Sequence, residues 1–256
     1  MNFKDLLKEP LMPVIIILGI ANFIVYFVVG EGTNTWDLAT SIPYDATALV
    51  SAICMFYVYR FYGGKSFEGR FWMLTGVGMF LWFVAEVAWF YYVINDIAPF
   101  PSIADVFFLA AYFPIIVAVV NRSKFSKITF NSVKAAIVAV CILIVLVPTY
   151  IWVLHPIFVD TSYGTVEKVV SIAYPVLDLI LLGFAVTIAL YWGSKISYGW
   201  YILSLGIVLM TVADILFAAM EWNGVYYPKI ELAYAATYLL MGVAALYQKK
   251  YHESFL

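Results

Sequence analysis

Charge is what this chain has least of: 12% of its residues are Asp, Glu, Lys or Arg, about half the soluble globular norm. Histidine is reduced to His155 and His252. On the span reading below they sit near opposite membrane faces, which excludes a three-histidine zinc site or a bis-histidine haem. The two cysteines, Cys54 and Cys141, both lie inside apolar runs, so no disulfide framework is expected. The net charge is −2 and no basic cluster forms a nucleic-acid footprint, so no nucleic-acid partner is expected. Gly-x-Gly-Asp and Asp-Asp-x-x-Asp are both missing, against an aspartyl intramembrane protease and a prenyl-diphosphate enzyme. A retinal Schiff base would need a lysine deep in a late span, and Lys229 lies in a loop. An enzyme is therefore not expected, and the sequence leaves any cofactor unknown.

What the chain has instead is apolar surface, with 65% hydrophobic residues and a mean hydropathy of +0.95 over 256 residues. No water-soluble core hides that much, so the solvent must be lipid. Hydropathy predicts an all-α integral membrane protein of eight transmembrane helices: Pro10–Val29, Tyr44–Phe61, Phe71–Ile94, Ile103–Val120, Ala135–Leu154, Val169–Trp192, Gly199–Met220 and Leu232–Tyr247. The N-terminal run is read as a retained span and not a signal peptide, because Asp5 and Glu9 cancel Lys4 and Lys8. With both termini cytoplasmic, the inner segments hold twelve basic residues, among them Arg70, Arg122, Lys124, Lys127, Lys195, Lys249 and Lys250, and the outer loops two, Lys168 and Lys229. Acids such as Glu31, Asp37, Asp96, Asp160 and Glu221 gather outside. The expected location is the plasma membrane. Tyr91, Tyr92, Tyr226 and Tyr227 read as an aromatic belt. Pro114, Pro148 and Pro175 fall inside spans and predict kinks.

One stretch is written twice. Trp72, Gly78 and Val84-Ala85-Glu86 recur as Trp200, Gly206 and Val212-Ala213-Asp214, all at an offset of 128. Ser41-Ile42-Pro43-Tyr44 is echoed by Ser171-Ile172-Ala173-Tyr174, and Gly64-Lys65 by Ser194-Lys195, at an offset of 130. Asp105 and Tyr112 are echoed by Glu231 and Tyr238 at 126. The drift fits small loop deletions. The expected organisation is a tandem duplication, residues 1–130 (spans one to four) and 131–256 (spans five to eight), related by a pseudo-twofold along the membrane normal.

Three acids lie within the predicted spans. Glu86 is about 22 Å from the inner end of its span, Asp214 at nearly the same height, and Asp178 about 14 Å below the outer edge. No intramembrane Lys or Arg can pair with them, so they are expected to face the bundle interior. Tyr174 shares a helix face with Asp178, as Tyr112 does with Asp105 and Tyr238 with Glu231. Together these eight residues predict an outward-opening pocket of acids and phenols. Ala48 is the counterpart of Asp178, so the pocket should be asymmetric. Structural roles compete. Ser102-Ile103-Ala104-Asp105 after Pro101 is a capping-box pattern, and Glu231 suits a helix N-terminus, as Asp45 does more weakly. Glu86, Asp178 and Asp214 could instead be protonated acids joining helices.

Pro101-Ser102-Ile103-Ala104-Asp105 with Leu109 and Tyr112, together with Tyr174-Pro175-Val176-Leu177-Asp178-Leu179-Ile180-Leu181-Leu182, resembles the multi-pass N-terminal membrane modules that precede prokaryotic diguanylate cyclase and histidine-kinase domains. The resemblance implies a sensory membrane domain in which Asp105, Asp178 and Asp214 matter. The sequence ends about nine residues after its last span, so output is expected from a cytoplasmic signalling partner or a homo-oligomer. Two functions remain. One is a receptor-like protein binding a small cation or a cationic amphiphile through charge and cation–π contact. The other is a proton- or cation-coupled transporter using Glu86 and Asp214.

Overall fold

The computed structural model describes residues 3–29, 36–97, 99–125, 131–162, 164–193, 198–225 and 227–254. Glu31, Lys127, Ser194, Lys195, Tyr226 and the side chain of Glu221 lie outside the described residues. Every long element is a helix: α1 (Met12–Val28), α2 (Trp36–Tyr62), α3 (Phe67–Ile94), α4 (Ile103–Phe125), α5 (Ser132–Val159), α6 (Thr165–Ile188), α7 (Tyr198–Trp222) and α8 (Glu231–Glu253). Seven are long and apolar enough to cross a membrane, and α1 is a shorter apolar helix of 17 residues. This is the architecture of a multi-pass helical membrane protein.

Helices outrun the apolar windows where polar residues begin or end them. The second span, expected from Tyr44, starts as α2 at Trp36, because Asp37, Thr40 and Ser41 lower hydropathy without breaking the helix and Pro43 is accommodated inside it. Likewise α6 starts at Thr165, four residues before Val169, with the Glu167 side chain accepting from the Gly164 N–H at 2.5 Å. Asp178 therefore sits about 20 Å along its helix, deeper than the expected 14 Å. Pro114, Pro148 and Pro175 lie within helices as expected, and Pro148 is followed by a π-helical turn at Tyr150–Leu154. Tyr91 and Tyr227 are exposed at helix ends.

Sequential helices pack as α2 on α3, α3 on α4, α6 on α7 and α7 on α8. The two groups then interlock, α8 packing on α1 and α2 while α4 meets α6. Trp72, Trp82, Trp200, Tyr112 and Tyr238 are the largest buried side chains. Outward, α1 and α5 present Ile17, Phe23, Phe27, Leu143, Ile144 and Trp152, an apolar surface suited to lipid. At one end of the bundle Lys249 Nζ lies 3.1 Å from Glu9 Oε1 and 2.7 Å from Glu253 Oε1, joining the chain start to its end. The Tyr62 hydroxyl donates to the Gln248 carbonyl at 3.1 Å, and Arg122 Nη2 reaches Glu68 Oε1 at 3.2 Å. Glu9 and Glu253 thus lie at the same end of the bundle.

Candidate functional site

The opposite end holds a cavity of about 600 Å³ between the ends of α2, α3, α4, α6, α7 and α8. Glu86 and Asp214 enter it from matching heights. Each lies eight residues before the end of its helix, Ile94 and Trp222, about 12 Å along the axis. Asp105 and Glu231 enter from helix starts, where an acid is favoured by the dipole and by unpaired backbone N–H groups. Asp105 does cap its helix. Its Oδ2 accepts from the Ser102 N–H at 2.6 Å and the Ser102 hydroxyl at 2.9 Å, which leaves Oδ1 for the site.

Phenols meet these carboxyls across helices. Tyr44 and Tyr238 both donate to Glu86 Oε1, each at 2.6 Å. Tyr174 donates to Asp105 Oδ1 at 2.8 Å, and Tyr112 to Asp178 Oδ1 at 2.7 Å. Tyr112 also approaches Asp214 Oδ2 at 3.5 Å, and Tyr234 donates to Asp214 Oδ1 at 2.8 Å. Tyr26 donates to Glu231. Tyr174 and Asp178, four apart on α6, bond Asp105 and Tyr112 of α4 respectively. Trp82 stands between the two clusters, 5.6 Å from the Tyr112 ring and 6.1 Å from the Tyr238 ring.

Seven of the eight expected site residues line the cavity: Glu86, Asp105, Tyr112, Tyr174, Asp214, Glu231 and Tyr238. Asp178 does not. It is fully buried behind Tyr112, its carboxyl against that of Asp214, and its Oδ2 meets no donor among the described residues. Asp45, read from sequence as a weak helix N-terminal acid, lies nine residues into α2, is 8% exposed and lines the cavity. Sequence reasoning left out Tyr44, Tyr234 and Tyr26. Tyr44 was detectable as the counterpart of Tyr174, whereas Tyr26 had no local signal.

The cavity carries six carboxyl side chains, those of Asp37, Asp45, Glu86, Asp105, Asp214 and Glu231, and no Lys, Arg or His among its described lining residues. Aromatic walls include Trp36, Trp89, Phe90, Phe108, Phe217 and Trp222. No three acids converge as metal ligands would, among the described residues. Such a site attracts positive charge, offers π faces to a cation, and leaves apolar area for an attached body.

Positions matched in sequence are also matched in contact. Trp72 and Trp200 stack on each other with centroids 6.0 Å apart and planes 17° apart. A Cβ on Gly78 would meet Ile115 and Ala111 of α4, and one on Gly206 would meet Met241 and Thr237 of α8, 126 residues on. Tyr238 reaches Glu86 from α8 as Tyr112 reaches Asp214 from α4. No known protein family, curated protein or solved structure matches the chain.

Proposed function

We propose that the chain is a receptor-like multi-pass membrane protein that binds an organic cation or cationic amphiphile in the acid- and phenol-lined cavity. The observation that carries this reading is six carboxyls around about 600 Å³ with no basic side chain among the described lining residues. A charged headgroup would sit by Asp45 and Glu86, with its apolar body against Trp82, Phe108 and Phe217. Separation of the acids favours an extended organic cation over a bare metal ion.

The excess of basic residues at the Glu9–Lys249 end supports a cytoplasmic placement of both termini, in the plasma membrane, with the cavity opening outside. The stacked tryptophans and matched glycine contacts support a tandem duplication, and the shorter apolar α1 beside seven long helices supports eight spans. One helix, α8, carries Tyr238 at the cavity and Lys249 at the other end, so a ligand that moves Tyr238 would move a cytoplasmic surface. This fits the sensory role that the resemblance implies, with output through a partner or a second copy.

Transport is the second reading, favoured by carboxyls that lie where the two halves meet, since rocking would remake the Tyr238–Glu86 and Tyr112–Asp178 bonds. Against it, Phe71, Trp72, Met79 and Trp200 fill the core between the cavity and the basic end.

The test is calorimetric titration of purified protein with tetraphenylphosphonium and with neutral tetraphenylmethane analogues of similar size. The cation should bind, with Asp45→Asn and Glu86→Gln each weakening it at least about tenfold, roughly one lost charge contact. Equal binding of the neutral probe, or unchanged affinity in both variants, overturns the reading. Cation flux into liposomes that Glu86→Gln abolishes would decide for transport.

A further inference from the structure

A second cavity, about 450 Å³, opens at the other end of the bundle between the start of α3 and the end of α4. It has the reverse character. Arg70, Arg122 and Lys124 line it together with the amide of Asn121, and its floor is apolar, built from Phe71, Leu74 and Ala118. The Arg122 guanidinium is 6% exposed, held between Glu68 at 3.2 Å and the Trp200 ring at 5.6 Å. Arg70 lies 4.5 Å over the Phe67 ring, and both Arg70 and Lys124 are exposed at the rim. Three cations against the carboxylate of Glu68 leave two positive charges at the mouth of an apolar slot.

We infer that this cavity holds an anionic phospholipid, its phosphate at Arg70, Lys124 and Asn121 and its acyl chains along Phe67 and Leu74. Position and chemistry agree. The rim lies at the ends of two helices long and apolar enough to cross a membrane, where a headgroup sits, and the apolar floor runs inward along the same helices. A free phosphate would use the rim and leave the floor uncovered. A zwitterionic lipid would bring its own cation to a site that already carries two. Phe67, 39% exposed, extends the apolar edge toward the membrane. This site is independent of the acidic cavity, being about 24 Å away along α3, from Arg70 to Glu86.

The experiment is thermal unfolding of the full chain in nanodiscs of equal parts phosphatidylglycerol and phosphatidylcholine, against phosphatidylcholine alone. Wild type should gain about 5 °C in the mixed lipid. The double variant Arg70→Gln, Lys124→Gln should gain none, while keeping its midpoint in pure phosphatidylcholine because the Arg122–Glu68 pair is intact. Native mass spectrometry should find phosphatidylglycerol retained on wild type and lost from the variant. An equal gain in the double variant overturns the inference. So does an equal gain from inorganic phosphate added to pure phosphatidylcholine discs, which would assign the rim to a soluble anion. If the variant misfolds, Arg70→Lys with Lys124→Arg keeps the charges and should restore the gain; failure to do so also counts against the site.

Discussion

Two phenols converge on one oxygen of Glu86, and neither comes from its own helix. A buried carboxyl with its donors removed loses far more than the bond itself, because nothing replaces water around it. Tyr44→Phe and Tyr238→Phe should therefore each cost about 1 kcal/mol, since the other phenol remains. The double variant should cost more than their sum by about 1 kcal/mol or more. Thermal unfolding in detergent with a double-mutant cycle measures this, and simple additivity would mean that the phenols act independently. Asp105 differs in being partly local. Its capping of Ser102 was legible because both partners lie within four residues, whereas its bond to Tyr174 spans 69. The same contrast explains Glu9, which reads as a neighbour cancelling Lys8 yet is buried against Lys249. Local spacing records caps and faces. It does not record which distant group a face will meet.

Between helices, the paired glycines set how closely two elements approach. A Cβ at Gly78 would come within 2.5 Å of Ile115 Cγ1 and 2.9 Å of the Ala111 carbonyl, and the backbone oxygen has no room to yield. At Gly206 the nearest atom is Met241 Cγ at 3.0 Å, the middle of a flexible side chain. Gly78→Ala should thus destabilise by about 1–3 kcal/mol through forced separation of α3 and α4. Gly206→Ala should be close to neutral, helped by alanine's better helix propensity. Equal effects in an unfolding assay would remove the argument from close packing. The tie between the chain start and α8 belongs to the same scale. Glu9→Gln should cost about 1–3 kcal/mol, less than a wholly buried pair, because Glu253 still reaches Lys249 at 2.7 Å. Apolar windows located the eight long helices described here but not every start, since a helix continues through polar residues that hydropathy discounts, as at Asp37 to Ser41.

For the whole molecule, one face is basic and tied by ion pairs while the other is acidic and hollow. That polarity gives a direct topological prediction. In a Cys54→Ala, Cys141→Ala background, a membrane-impermeant maleimide should label Asp96→Cys on intact cells. Ser254→Cys should react only after the membrane is opened. The reverse pattern would turn the acidic cavity to the cytoplasm and end the reading of an external ligand. The repeat of spaced Trp, Gly and acid was readable in the sequence, but the asymmetry of the site was only half readable. The Asp178 position, where the first half has Ala48, predicted an uneven site; that its carboxyl would retreat behind Tyr112 depended on how α4 meets α6.

The packing of α8 on α1 and α2 should also set the order in which the chain assembles as it is made. The Tyr238 donor to Glu86 lies 152 residues downstream of it, roughly 8–30 s of ribosomal synthesis. Throughout that interval the third helix has left the ribosome with an acid whose second donor does not yet exist, and Tyr26 waits in the same way for Glu231. The first four helices are thus an unfinished ligand for the last one. Newly made chains should depend on the insertion machinery or a membrane chaperone until translation of α8 is complete, and a stalled chain lacking it should be marked for degradation.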